Sequence, residues 1–341
     1  MKLEEYLNIE NLNKHVAQGF VTARRHNTLP LTIYSYSRKT VLKSHWNYIT
    51  RRTRGLIVAD DGEIIARPYE KFFSYNDPQA IETHPSTVRD MDANFGPPVI
   101  TEKINGCLGI FWKYGVHWGV ATKGSFHSPH AEWATKWLED HIEHNGKLVF
   151  PEGYTPVFEI ICQDIQPHVI HYEHDGLVLL NFVNRDTGEE LSQQRTLLYA
   201  ATNKLAIPYL KDLTLEEALS LDESDYEGLV ATYNRPGQPP YKLKIKFPTF
   251  LKNRQIFYEQ QKLLRTEPTE QSGRYKEILD KAIGLVYKAL VLYTLRSEIA
   301  AFFNTPENQY YAPVCFALLD SKDYKPLIKS MLEKEKSIVT Q

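Results

Sequence analysis

The segment Thr101-Glu102-Lys103-Ile104-Asn105-Gly106 sets a lysine three residues before a glycine, and two carboxylates follow it in apolar surroundings. Glu159 interrupts the run VFEII, and Glu227 stands directly before Gly228 in YEGLVATY. Farther on, YKLKIKF spaces Lys242, Lys244 and Lys246 at period two. In a strand that period puts three ammonium groups on one face and Leu243, Ile245 and Phe247 on the other. Like charges this close repel unless an anion sits among them. The row is therefore either the solvated face of an edge strand or a strand facing phosphate. The apolar reverse face and the two upstream carboxylates favour the phosphate. Lys103 alone says little, because a solvated lysine beside a turn is common. Its weight comes from the ordered segments after it.

Those residues need elements to position them. From about Leu31 to Thr249 the chain reads as short strands punctuated by turns. RGLIVADDGEIIARPY predicts a hairpin turned at Asp61-Gly62, a pair suited to a type I′ turn. GIFWKYGVHWGVATKG predicts a second, turned near Tyr114-Gly115, and GLVLLNFVNRDTGEEL a third, looped from Asn184 to Gly188. Ser128-Pro129 has the form of an N-cap with proline at the first helical position, opening a helix that stops near Gly146. Ala134, Trp137 and Leu138 form its apolar face. Thr214 and Glu217 make a capping box for a helix in TLEEALSL. After Phe250 the turn signals thin out, and helical spacing persists until Thr305-Pro306. The expected organisation is an α+β body over residues 1–250 and a helical domain over residues 251–341.

In this order, Lys-x-Asn-Gly, Phe-Glu-Ile, Glu-Gly-Leu-Val and Lys-x-Lys resemble the covalent nucleotidyltransferase superfamily of ATP-dependent ligases and messenger-RNA capping enzymes. Three further segments narrow the likeness: Thr53-Arg54-Gly55-Leu56, Tyr69-Glu70-Lys71-Phe72-Phe73 and Thr122-Lys123-Gly124-Ser125. With them the chain is similar to the phage-type RNA ligase 1 family over roughly residues 30 to 250. Where that family often carries Asp-Gly-Ser, this chain has Asn105-Gly106-Cys107.

The resemblance implies a mixed or antiparallel-sheet nucleotidyltransferase domain, ATP-grasp-like in the manner of ligases, followed by a small all-helical domain for RNA specificity. It implies an ATP-dependent RNA ligase that joins 5′-phosphate and 3′-hydroxyl ends through a lysyl-AMP intermediate and an RNA-adenylate. Lys103 would be the nucleophile, with Lys244 and Lys246 stabilising charge on the phosphates. Arg54 and Lys71 would contact ATP phosphates or ribose-side groups, Lys123 would line the phosphate site, Gly106 would belong to the nucleotide site, and Glu102 or its backbone would lie at the adenine edge. Phe158 or Phe73, with Val230, would pack against the purine. Glu159 and Glu227 would orient ribose hydroxyls and a hydrated metal, through water. ATP and Mg2+ are the implied cofactors, with Mn2+ as a substitute. The implied partner is RNA, broken transfer RNA fitting the family's repair role, with end-healing kinase and phosphatase supplied separately. Two other readings stay open. DNA ligases and RNA capping guanylyltransferases normally append a β-rich OB-fold domain where this chain turns helical. A non-catalytic RNA-binding module is expected to lose Lys103, Glu227 or the lysine pair, and all are present.

The 341 residues are 42% hydrophobic and 24% charged with a net charge of −2, which excludes a uniformly basic nucleic-acid binder. The charge is uneven. Tyr241 to Gln341 holds 17 of the chain's 40 basic and 11 of its 42 acidic residues, a net of +6 against −8 before it. Cys107, Cys162 and Cys315 form no paired pattern, which points to a reducing compartment without a cysteine zinc site. His127/His130 and His168/His171/His174 are read as surface or packing histidines, and Trp112, Trp118, Trp133 and Trp137 as core. MKLEEYLNIENLNK lacks a signal-peptide apolar core, and Lys288 interrupts the longest apolar stretch. The expectation is a soluble cytoplasmic protein without membrane contact.

Overall fold

Alternating apolar and polar residues shape the chain up to Phe247 into three sheets. The computed structural model describes residues 1–165, 169–255, 257, 273–293, 295–320 and 322–339. Its first sheet has the order β1 (Val21–Arg25), β2 (Leu31–Tyr36), β3 (Arg54–Ala59), β4 (Ile64–Ala66), with antiparallel neighbours throughout. The third sheet contains β5 (Phe73–Ser74) and β6 (Val99–Glu102). The second contains β7 (Cys107–Tyr114), β8 (His117–Thr122), β9 (Tyr154–Ile161) and β10 (Gly176–Asn184), in the order β10-β9-β7-β8. β11 (Leu210–Lys211), β12 (Gly228–Tyr233) and β13 (Tyr241–Lys246) complete the third, in the order β11-β6-β12-β13-β5. Among the described strand pairs β13–β5 alone is parallel, beside one isolated parallel bridge from Val178 to Ala206, so the architecture is mixed α+β.

The first two sheets pack face to face through Leu31, Ile33, Ile57 and Ala59 on one side and Ile110, Trp112 and Ala121 on the other. The reverse face of the second sheet is closed by the helices Pro129–Asn145 and Gln193–Thr202. Leu138 of the first helix is wholly buried there, a burial that contributes about 2 kcal/mol. Ser128 caps that helix by accepting from the Ala131 N–H, Pro129 opens it, and Gly146 ends it at φ +88°. Trp137 on the same helix is only partly buried. The Thr214/Glu217 capping box also forms, at the start of the helix Leu215–Ser220.

Two hairpins differ from expectation. At Asp61-Gly62 the Gly62 N–H donates to Ala59 O and the Ala59 N–H to Glu63 O, and only Gly62 has positive φ. The loop is thus a three-residue connection with glycine in the left-handed position, because Asp61 stays at negative φ and a type I′ turn needs both central residues positive. After the Asn184–Gly188 loop the return arm is reduced to one bridge, Val183 to Glu190, on the edge of β10 that β9 leaves open.

The chain divides into two compact units, Met1–Phe247 and Pro248–Gln341. In the second, residues 248–255 are helical, and the helices Gly273–Leu292, Arg296–Phe303, Ala312–Leu319 and Lys325–Val339 follow. Tyr275, Ile278, Leu279, Ala282, Val286 and Ala289 recur at three- and four-residue steps and bury one stripe of the long helix against Phe303, Val314 and Ile328. Lys276, Lys281 and Lys288 stand exposed on it, and Arg274 pairs with Glu277. Lys262 and Arg265 lie outside the described residues. No helix among the described residues is long and apolar enough to cross a membrane.

At the head of β12, Gly228 has φ +145°, and a Cβ there would lie 2.0 Å from the Ile245 carbonyl oxygen. Gly228→Ala is expected to cost about 2–5 kcal/mol from backbone strain and overpacking together. A denaturant midpoint equal to that of the wild type would refute this reading of the β12–β13 approach.

Candidate active site

Register does the positioning. β12 lies between β6 and β13, so Leu229 faces Glu102 on one side while Gly228 faces Lys246 on the other. The Lys103 N–H donates to Gly228 O at 2.9 Å, pinning the residue after β6 to the start of β12. Glu227, one residue before Gly228, therefore falls between two lysines from two strands. Its Oε2 lies 2.8 Å from Lys103 Nζ and its Oε1 2.6 Å from Lys246 Nζ. Asn105 Nδ2 donates to the same Oε2 at 2.9 Å. Gly106 donates its N–H to Glu159 Oε1 at 3.1 Å, and a Cβ on Gly106 would meet Ile160 O at 2.4 Å. That glycine is required by close approach to β9. Sequence spacing alone did not give the Asn105 bridge, nor Tyr172, whose hydroxyl accepts from the Asn105 N–H at 2.7 Å.

A second group of cations stands beside this one. The Lys244 Nζ lies 4.6 Å from the Phe72 ring centre, and no carboxylate among the described residues is within ion-pair distance of it. Burial, then Lys71, Arg54, Lys103 and Lys246, hold its ammonium well below the usual lysine range. Lys71 is lowered to about 8 by burial first and by Arg54 next. Its Nζ donates to Phe72 O and sits 3.8 Å above the Phe73 ring. Arg54 Nη1 is buried without a hydrogen-bond partner among the described residues. Lys123 Nζ lies 4.0 Å from the Tyr36 ring centre. Gly55 explains how Arg54 and Lys123 meet across two sheets: a Cβ there would be 2.3 Å from Ile110 Cδ1 and 3.2 Å from Lys123 O. These cations repel one another, and the arrangement suits an extended anion.

Of the three lysines of β13, all half-buried on one face opposite buried Leu243 and Ile245, only two belong here. Lys242 is taken by Glu190, 2.7 Å away. β13 is also an interior strand, flanked by β12 and the short β5, so the edge-strand alternative falls.

The aromatic expectations need correction. Phe158 is fully buried in the core under the helix Pro129–Asn145, on the face of β9 opposite Glu159. Adjacent strand residues point to opposite faces, so both could not line one site. Phe73 is buried as well, its ring covered by Lys71 and by Arg51 at 5.1 Å. Phe72 meets the cations too, with Arg54 at 5.7 Å and Lys244 at 4.6 Å, so both rings of the pair border the group. Val230 is half-buried, paired with Lys244 and Thr101. Glu102 is buried, its N–H committed to Tyr209 O, and burial raises its carboxyl above the usual range. Trp118, like Trp133 and Trp137, is partly buried and packs against the core under the helix Pro129–Asn145. His127 is exposed, while His168 lies outside the described residues.

Two carboxylates approach each other with opposite tendencies. Burial raises Glu159 first, Lys103 lowers it and Glu227 raises it again, leaving it above the ordinary value. Burial would raise Glu227 too, but Lys103 and Lys246 outweigh it and hold the group at about 2. Among the described residues no cluster of three His, Cys, Asp or Glu side chains could cage a metal directly. The donor chemistry fits a hydrated hard cation held through water by carboxylates. Because the folded value of Glu227 is depressed, its ionised form stabilises the fold above the unfolded value and that contribution is lost as pH falls from about 4.5 toward 2. Glu227→Gln should flatten the pH dependence of unfolding free energy in that window. An unchanged slope in an acid titration followed by denaturant unfolding would show that Glu227 is not the ionised partner of both lysines.

Comparison with known proteins bears on the family and the fold. A family profile described as RNA ligase, of the T4 RNA ligase 1 type, matches residues 52–249. RNA ligase 1 of bacteriophage TS2126 is 27% identical over 136 residues, which covers 38% of this chain and 33% of that protein. The match thus spans a third of the relative's length. A solved structure from Aquifex aeolicus, assigned as an ATP-dependent DNA ligase, superposes with a TM-score of 0.52 at 15% identity, covering 90% of this chain and 79% of that one. A variant of the Naegleria gruberi RNA ligase with ATP and Mn gives a TM-score of 0.38 at 13% identity, over 49% of this chain and 54% of that one. The Aquifex likeness establishes the nucleotidyltransferase fold of nucleic-acid ligases. The profile spans more than half of the sequence and every strand that builds the site, and on that match the chain belongs to the phage-type RNA ligase family.

Proposed function

We propose that the protein is an ATP-dependent RNA ligase that works through covalent adenylation of Lys103. The observation that carries this reading is the pairing of one amine, Lys103, with a buried cation group in which Lys244 and Arg54 have no carboxylate partner among the described residues. In the first step the Lys103 Nζ lone pair forms a bond to the α-phosphorus of ATP, the bond to the β-phosphate oxygen breaks, and the amine sheds its proton. Lys244, Lys246, Arg54, Lys71 and Lys123 stabilise charge that grows on the α-phosphate and the departing pyrophosphate. In the second step a 5′-phosphate oxygen of RNA displaces Lys103 from phosphorus, restoring the amine. In the third a 3′-hydroxyl attacks that 5′-phosphate and AMP leaves.

Glu227 holds Lys103 and Lys246 before the nucleotide arrives, so it sets where the amine waits. Val230, beside Lys244 and Thr101, is the purine-side candidate supported by register, and Glu102 the candidate for the adenine edge. A divalent cation, Mg2+ with Mn2+ as substitute, neutralises phosphate charge when bound, and Glu159 with Glu227 would hold it through water. The helical unit, with Lys276, Lys281 and Lys288 exposed, is proposed to contact the RNA backbone. Broken transfer RNA, with ends prepared by separate kinase and phosphatase activities, is the proposed physiological class, and the cytoplasm the proposed location.

Radiolabel from [α-32P]ATP should attach to the protein and vanish in Lys103→Ala and Lys103→Arg, since arginine stays protonated. Retained label in Lys103→Ala would sink the assignment, and labelling by GTP instead would indicate a capping enzyme. Lys244→Ala should lose about a hundredfold or more in adenylation rate. Lys242→Ala, whose partner is Glu190, should lose far less, and equal losses would mean that β13 is misread. A chain ending at Lys252 is expected to fold and self-label while joining RNA poorly, because the unit Met1–Phe247 holds all the proposed nucleotide contacts. A folded truncate that no longer labels would place part of the nucleotide site in the helical unit.

A further inference from the structure

On the second sheet a cavity of about 520 Å³ opens beyond the end of the helix Pro129–Asn145. Phe111, Trp118 and Phe150 line it, each only partly buried. Phe111 and Trp118 lie at 26° to one another with centroids 6.0 Å apart, and Phe150 meets Phe111 edge-on. Lys113, Lys147 and Arg185 stand on the same lining. Among the described residues none of the three has a carboxylate within ion-pair distance, and Glu152 is the one acidic side chain on the lining. This excess of positive charge occurs in the part of the chain that is acidic overall, with 23 basic against 31 acidic residues before Tyr241.

The cavity is separate from the adenylation residues. Phe111 is two residues from Gly109, which pairs with Phe158, whereas Glu159 pairs with Leu108. The aromatic lining therefore continues the Phe158 face of the sheet, and Glu159 occupies the other.

We propose that this cavity binds an unpaired base of an RNA strand and its flanking phosphates, away from the ends being joined. An aromatic wall accepts any base by its π-face, and the three cations sit where a backbone passing the mouth would place phosphate. Charge and stacking together decide the class of occupant: an apolar ligand would leave the three cations without an anion, and an acidic peptide would leave the near-parallel Phe111 and Trp118 rings without a flat π-face to stack on. The proposal rests on RNA being the substrate.

The test uses the full-length protein and a short single-stranded RNA with a 5′-hydroxyl and a 3′-phosphate, which cannot be sealed. Binding is followed by fluorescence anisotropy across a salt series, and 4-thiouridine crosslinks are mapped. Lys113→Ala/Lys147→Ala/Arg185→Ala should weaken binding and lower the log–log salt slope by about 2, the loss of three phosphate contacts to a single strand. Trp118→Ala should weaken binding about fivefold or more at unchanged slope. Self-labelling with ATP should be unaltered in each variant, which also verifies folding. If Trp118→Ala fails to fold, the triple variant decides alone, since Lys113 and Lys147 are exposed. Wild-type RNA binding that neither variant alters, with crosslinks elsewhere, would overturn the proposal and leave the ligase reading intact. A wild type that self-labels yet binds no RNA would overturn both.

Discussion

Glu227 is a buried carboxylate held between two ammonium groups, and the sheet β11-β6-β12-β13-β5 is arranged so that this can happen. The pair distances, 2.8 Å to Lys103 and 2.6 Å to Lys246, require that β6, β12 and β13 be adjacent and in one register. Removing Glu227 would leave the two ammonium groups facing each other without the carboxylate between them, at a cost of about 3–5 kcal/mol. The two lysines already share their carboxylate, and Asn105 adds an amide donor to it. An aspartate at position 105 would put a second negative charge against Glu227, so the departure from the usual Asp-Gly-Ser is matched by the local electrostatics of this chain.

The three sheets divide the labour. The third carries Lys103, Glu227, Lys244 and Lys246, while the second contributes Glu159 and, at its edge, Lys123. The first delivers Arg54, through the approach that Gly55 permits. The glycines matter for two reasons: positive φ together with contact at Gly55 and Gly228, contact alone at Gly106. The Aquifex structure shares this fold while being assigned to DNA ligation. The fold thus does not choose between RNA and DNA, and the family profile carries that distinction.

Much of this was legible in the sequence because strand periodicity is a strong signal. The period-two lysines, the capped helix at Ser128-Pro129 and the Thr214/Glu217 box all follow from local rules that tertiary packing did not override. What escaped is what depends on partners distant in sequence. Phe158 and Glu159 were both placed at the site although neighbours in a strand must part, and the face each took was set by the helix Pro129–Asn145. Phe73 was singled out and Phe72 passed over, although both rings border the cations, since nothing local says that neighbouring aromatics outside a regular strand can both turn toward them. The Asp61-Gly62 turn kept its glycine but lengthened by a residue, a choice fixed by how β4 leaves β3 with a register shift.

The strand β13 neutralises itself at both ends, Lys242 with Glu190 and Lys246 with Glu227, and leaves Lys244 between them. The outer couple touches no proposed nucleotide contact, so it is free to drift in related chains as a unit, with its charges exchanged or both replaced by a matched apolar pair. The inner position has no partner within the protein with which to compensate a change. Tolerance in related chains should therefore differ between neighbouring lysines of one strand, high at Lys242, whose counter-charge is built into the fold and serves nothing else, and low at Lys244, whose proposed counter-charge would come with the nucleotide.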